Sequence, residues 1–357
     1  MTILYVQEQG AVVRREGEEV RVTLDTKVLA RLPVREAEQV VVCGNVQLTT
    51  QAAALLLQNE VDVVFLSYHG VFRGRLMKSG SKFARLRHAQ LQLSGDEGRS
   101  VAVAKGIVRA KLSNQRNLLA DLTPLPPSPA ARDASSPARR GGSELVIPPQ
   151  ATATLAQAMD GIERMKRDCH LARDPDTLRG YEGKAGAFYF AAVGALLDRG
   201  WSFQGRKYYP APDPFNAALS FGYALLQKDI SATVQLVGLD PFLGCFHAMQ
   251  YDRPSLVLDL MEEFRPLAVD RVILDLVLSG KLKPADFTFT GNPERPVELG
   301  SALIPRIIQA YEARVTSPVL HTPSGERNTI RRCFELQARI FARVVVGDRA
   351  GYEGVVG

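Results

Sequence analysis

Residues 99–122 read RSVAVAKGIVRAKLSNQRNLLADL. Apolar residues recur there at helical spacing and basic ones collect on another side, which predicts a long amphipathic helix. Arg109, Lys111 and Arg116 make up the basic side, and a solvated helix face is its plainest explanation. The texture of the chain changes around this helix. Before it, Val12–Val13, Val20–Val22, Val40–Cys43 and Val61–Leu66 are short β-branched runs punctuated by Gly, Glu and Asn. VVRREGEEVRV reads as a hairpin around Gly17, and TTQAAALLLQ as one helix, roughly residues 50–59, behind a Thr cap. From about Lys82 onward helical patterns dominate to about residue 346. The expected fold class is α+β: a small β-rich N-terminal domain over residues 1–82, then a larger all-α domain over residues 83–346. Residues 347–357, GDRAGYEGVVG, read as a loose tail.

One stretch breaks the helical region. Residues 121–150, DLTPLPPSPAARDASSPARRGGSELVIPPQ, hold seven prolines and almost nothing that builds a core. Such a segment buries too little apolar surface to offset its ordering entropy, so it reads as a flexible insertion between two helices. The whole chain has 357 residues, 46% hydrophobic and 23% charged, which is ordinary globular composition. Lys and Arg total 44 against 38 acids. That excess is compatible with a polyanionic partner without establishing one. Cys43, Cys169, Cys245 and Cys333 are scattered with no C-x-x-C spacing, which argues against a disulfide framework and a structural zinc site. The start MTILYVQEQG lacks the features of a signal peptide, and no apolar run approaches the roughly eighteen residues of a membrane span. A cytoplasmic protein is expected.

The chemistry concentrates in HAMQYDRPSLVLDLMEEFRP, residues 247–266. As a helix over 255–264, ending at Pro266, it places Leu256, Val257, Met261 and Phe264 on the side of Leu260. Asp259, Glu262 and Glu263 gather on a separate arc about 100° wide. Carboxylates so crowded repel one another unless water, a base or a cation relieves them. An exposed acidic face is the bland account. His247 weakens it, because it stands one turn and a bend ahead in the apolar segment GLDPFLGCFHAMQ. An imidazole with carboxylates suits Mn²⁺ and tolerates Mg²⁺. Cys245 reads as a buried free thiol rather than a ligand.

Two further stretches stand out. LRGYEGKAGAFYF, residues 178–190, has small residues that permit close approach of a helix or a nucleic-acid backbone, and Glu182 among them. By itself, Glu182 reads as an acid near a helix N-terminus. GRKYYPAPDPFNAALSFGYALL, residues 205–226, interleaves Arg206 and Lys207 with tyrosines before a helix opening near Asn216. That mixture suits phosphates and bases, and equally an ordinary surface. H-E-x-x-H, Walker, G-x-S-x-G and Rossmann patterns are absent.

In their order, these segments resemble one family: the CRISPR-associated integrase of spacer acquisition, the first-numbered Cas protein. RLPVREAEQVVVCGNVQLTTQAAALLL and VDVVFLSYHGVFRGRL look like its N-terminal domain, while SNQRNLL, GYEGKAGAFYF, DPFNAALSFGYALL and SLVLDLMEEFRPLAVDRVIL look like its helical catalytic domain. The resemblance implies a catalytic metal site of Glu182, His247 and Glu262 holding Mn²⁺ or Mg²⁺. Asp259 matches a second acidic position that binds metal or DNA, and Glu263 is set aside as a ligand. Lys111, Arg116, Arg206, Lys207 and Asn216 are expected at the DNA. The implied reaction is attack by the 3′-hydroxyl of a short duplex on a phosphodiester at a CRISPR repeat, with associated endonuclease activity. The implied partners are double-stranded DNA, a second copy of the chain, and a dimer of the small second-numbered Cas protein. A nuclease acting alone on branched or single-stranded DNA and a non-catalytic DNA scaffold are the competing readings.

Overall fold

The computed structural model describes residues 2–66, 72–78, 83–123, 149–207, 210–248, 250–300 and 302–357. Most of the proline-rich insertion, residues 124–148, lies outside this set, as do His69, Tyr208 and Tyr209. In chain order the N-terminal part comprises β1 (Thr2–Val6), β2 (Val12–Glu16), β3 (Glu19–Leu24), β4 (Lys27–Pro33), β5 (Ala37–Cys43), β6 (Gln47–Leu48), α1 (Thr50–Gln58), β7 (Asp62–Leu66) and β8 (Phe72–Leu76). These strands form two four-stranded sheets, ordered β4-β3-β2-β6 and β1-β5-β7-β8. The β2–β3 hairpin pairs Glu16 with Glu19, and Gly17 supplies the positive φ of 62° that so tight a turn needs. Thr49 caps α1 by accepting from the Ala52 amide.

The period of two along β5 and β7 divides their side chains between two cores. Val40, Val42 and Val63 face the β-rich core, and Val41, Cys43 and Val64 face the helical one. One sheet therefore belongs to both parts of the molecule.

The helical part continues with α2 (Ala84–Gly95), α3 (Glu97–Leu122), α4 (Pro149–Asp168), α5 (Pro175–Leu196), α6 (Pro214–Val237), α7 (Ser255–Phe264) and α8 (Arg271–Leu278). Then come β9 (Phe287–Phe289), β10 (Val297–Leu299), α9 (Leu303–Val315), β11 (Pro318–His321), β12 (Glu326–Thr329) and α10 (Ile330–Val345). The region read as all-α thus carries two short hairpins, β9–β10 and β11–β12. Asp96, Asp174 and Asp213 cap α3, α5 and α6 by accepting from the amides of Arg99, Thr177 and Asn216. A proline opens both α5 and α6, where its missing N–H costs no helix bond. Helix α3 packs on α4, α5 and α7, and α6 packs on α7 and α10.

Two expectations fail. The helix expected to end at Pro266 continues as a π-helical stretch, Arg265–Asp270, into α8. The wider π turn gives the pyrrolidine ring room that an α turn would deny it. The final residues are docked, not loose. Val355 is fully buried, and Asn114 of α3 donates to its carbonyl at 2.9 Å while accepting from the Gly357 amide at 3.0 Å. Composition hid this because the segment's few anchoring residues are held by partners far away in sequence.

Candidate functional site

Helix α7 is buried almost all round, so its three acids do not form a solvated face. Each has its own partners. Asp259, with no exposed surface, accepts from the amides of Cys245, Phe246 and His247 at 2.6, 3.0 and 2.9 Å. Its Oδ1 also lies 2.7 Å from His247 Nδ1. These contacts occupy both of its oxygens and fix the imidazole. With Nδ1 turned to Asp259, Nε2 is the ring nitrogen left to face a metal, the arrangement a metal-binding histidine needs. Nε2 stands 3.8 Å from Glu262 Oε1. Glu263 turns to the opposite side, accepting from Tyr352 Oη at 2.5 Å, from the Val355 amide at 2.7 Å and from Gln337.

Glu262, 5% exposed, faces the cations. Burial works to raise its carboxyl, but Lys111, Arg265 and His247 outweigh that and hold it down at about 2. Lys111 of α3 reaches Glu262 Oε2 at 2.5 Å and also pairs with Glu182. Burial disfavours the charge on Lys111, yet Glu262 and Glu182 prevail and keep the ammonium above its ordinary range. Lys111, expected at the DNA, stands here at 8% exposure as the cation between two carboxylates from α5 and α7. Glu182 itself lies well inside α5, whose Gly180 and Gly183 do not interrupt it.

The donor set of one imidazole nitrogen and two carboxylates suits a divalent cation of the Mn²⁺ or Mg²⁺ kind. Glu262 Oε2 is buried and faces the Lys111 ammonium, the position that a metal cation would take. As the side chains lie, no three His, Cys, Asp or Glu side chains among the described residues stand close enough to hold an ion. Lys111 separates Glu182 from Glu262, so binding an ion there requires the ammonium to yield its place.

The other expected DNA contacts divide. Asn216 is fully buried and spends its amide on the loop before α6: Oδ1 accepts from Arg206 Nη1 and the Lys207 amide, and Nδ2 donates to Gly205 O and Asp213 Oδ2. These bonds make it a structural clamp for the loop. Arg206 is tied to Asn216 and Ser220 and lies 5.2 Å over the Tyr223 ring. Lys207 is exposed, and Arg116 pairs with Glu163 of α4 at 3.5 Å. A groove of about 710 Å³ runs from Gly183 and Gly186, just past Glu182, along Phe190 and Phe203 to Arg206. The glycines leave room for a close backbone approach.

Two residues of this neighbourhood escaped the sequence. Arg265 lies 3.3 Å from Glu262 and stacks 4.5 Å over Tyr223; its spacing of three from Glu262 was the available signal. Asp270 accepts from Tyr189 of α5 at 2.9 Å and Tyr223 of α6 at 2.6 Å, joining those helices behind the cluster. Burial raises its carboxyl from 3.8 to about 6 against the pull of both tyrosines. A folded carboxyl raised this way binds more protons than the unfolded one between those values, so its contribution falls as pH rises from about 4 to about 6 and is flat above. Relative to Asp270→Asn, the wild type should lose on the order of 2–3 kcal/mol across that window. Urea unfolding of both proteins at several pH values measures it; a pH-independent gap removes the assignment.

Among the described residues, no helix is long and apolar enough to cross a membrane. The profile of the family described as CRISPR associated protein Cas1 matches residues 4–313. The chain belongs to the Cas1 family. A Thermus thermophilus relative called CRISPR-associated endonuclease Cas1 3 is 30% identical over 98% of this chain and 96% of its own length. A Rhodospirillum rubrum relative, an exonuclease Cas4/endonuclease Cas1 fusion, is 32% identical over 98% of this chain. The chain spans 56% of that fusion's length and 60% of a similar fusion from Geobacter sulfurreducens. The Cas1 protein of Thermotoga maritima shares the fold with a TM-score of 0.75 over 97% of each chain at 19% identity. A casposase bound to integration product shares it at 0.79, over 99% of this chain and 98% of its own, also at 19% identity. The strand-rich part followed by a helical part is thus a Cas1 architecture.

Proposed function

We propose that this Cas1-family chain is a metal-dependent DNA integrase of CRISPR adaptation with associated endonuclease activity, working in the cytoplasm. The observation that carries the reading is the convergence of His247 Nε2, Glu262 and the Lys111-bridged Glu182 from three separate segments. Relatives named endonucleases and a fold neighbour captured with an integration product support DNA strand chemistry. A neighbour named as a Cas6-RT-Cas1–Cas2 complex supports a Cas2 partner. A homodimer completes the proposed assembly.

His247, Glu182 and Glu262 would hold the ion, Mn²⁺ or Mg²⁺. A bound ion supplies Lewis acidity toward a phosphodiester oxygen. Asp259 keeps the imidazole in one tautomer and orientation, and Arg265 offsets the charge of Glu262. The groove beside Glu182 admits the backbone of the strand. In the joining reaction the 3′-hydroxyl oxygen forms a new P–O bond as the bond to the displaced 3′-oxygen breaks. One proton passes from nucleophile to leaving group, without net hydrolysis. With water in place of the hydroxyl, the same site cleaves.

The test offers a duplex with free 3′ ends and a repeat-containing plasmid in Mn²⁺, with and without Cas2. Joined products are the expected result. Cleavage alone in every mixture would replace the integrase reading with a stand-alone nuclease.

A further inference from the structure

Across α3 from the catalytic cluster lies a second concavity, of about 470 Å³, between α3, the turn ahead of α5 and Tyr352. Its floor is small. Gly98, Ala102 and Gly106 recur every four residues on one α3 face, and the Tyr352 carbonyl crosses Gly106 so closely that a Cβ there would collide with it. Its charged lining is all of one sign: Lys105 and Arg109, one turn apart on α3, and Arg173 opposite. Lys105 donates to the His170 carbonyl at 2.9 Å. Arg109 and Arg173 have no ion pair or hydrogen bond among the described residues. The nearest acid in sequence, Asp174, is spent on capping α5 through Thr177.

Like charges gathered around one concavity repel unless an anion sits between them. Guanidinium groups around a floor of glycine and alanine suit a ligand with several charged oxygens that must approach closely. We propose that this pocket is a second anchoring site for the phosphodiester backbone of DNA, separate from the site of chemistry. Arg109 points about 160° around the helix from Lys111, so a phosphate here and one at the catalytic cluster lie on opposite sides of α3. The two belong to different stretches of bound DNA. The site positions DNA without reading its sequence. It rests on the DNA-integrase reading above.

The test uses the full chain with both arginines replaced, Arg109→Ala with Arg173→Ala, and the matching double lysine variant. Affinity for duplex DNA is measured by fluorescence anisotropy across a series of NaCl concentrations. Losing two phosphate contacts should weaken binding by about 10-fold or more near physiological salt and reduce the slope of log Kd against log salt by about two. The lysine variant should recover most of the affinity, and cleavage at saturating DNA should stay within about twofold, because these residues do not touch the reacting atoms. An unchanged Kd and slope in the alanine variant overturns the proposal. So does loss of inorganic phosphate binding, followed by calorimetry, with DNA binding intact, which would mark a small-anion site. If the wild type binds no DNA, the functional reading fails and this site with it; if the wild type binds and only the variant is unaffected, this site alone fails.

Discussion

Replacing His247 with alanine should reduce Mn²⁺-supported cleavage and joining of DNA to roughly a thousandth of the wild-type rate or less. Nε2 is the one neutral donor of the proposed site, and nothing nearby can take its place. The fold should tolerate the change. The ring is partly exposed, and Asp259 keeps the three backbone amides of Cys245, Phe246 and His247. Thermal unfolding of the variant should therefore stay within a few degrees of wild type while DNA binding persists. If both cleavage and joining survive at near wild-type rates, the acidic cluster is structural and the chain is a DNA-holding scaffold. The parallel change Glu262→Gln is a poorer probe. It leaves Lys111 with Glu182 alone, so a loss of stability would accompany any loss of activity.

The largest effect on stability is expected at Glu263. Glu263→Ala removes the acceptor shared by Tyr352, Gln337 and the Val355 amide, all buried. Stranding those donors should cost roughly 3–5 kcal/mol, about the loss seen when one partner of a buried polar network is deleted. The loss should also be local. Gly354 lies so close to Ala110 of α3 and to Glu263 that the segment fits its slot only while both flanks are in place. Hydrogen exchange at the Val355 amide should accelerate far more than exchange in the strands of the two sheets. Glu263→Gln keeps one oxygen acceptor and should lose about half as much. Full protection of Val355 in the alanine variant would show that apolar packing, rather than the carboxylate, holds the segment.

The sequence made much of this site legible and left its wiring hidden. Residues 255–264 were readable as a helix because five apolar residues share one side, and α7 has those bounds. The pairing of His247 with Glu262 followed from segment order and resemblance. The resemblance also separates Glu262 from Glu263, but the partners of the three acids stayed hidden, because a helical wheel places them together while the fold gives each a different set of neighbours. Lys111 shows the limit most clearly. The basic residues suggest one helix side, but Lys111 stands about 160° around α3 from Arg109 and turns to Glu182 and Glu262, contributed by α5 and α7. Asn216 shows a more local signal. Asp213, Pro214 and Asn216 spell a helix N-terminus, and capping was the more local explanation of that asparagine than DNA.

The shared sheet also ties the two parts of the molecule together mechanically. Gln39 of β5 donates to the Leu236 carbonyl, and Arg75 of β8 donates to the carbonyls of Gln235 and Leu236, so strands grip the C-terminal end of α6. The same helix, 24 residues long, carries Tyr223 to Asp270 behind the proposed metal site and opens at the Arg206 loop. At about 1.5 Å per residue it is a rod of about 36 Å. It works as a strut: the grip of the strands at one end and the Asp270 junction part-way along belong to one helix, so a load on the sheet is passed straight to the residues that back the metal-site candidates.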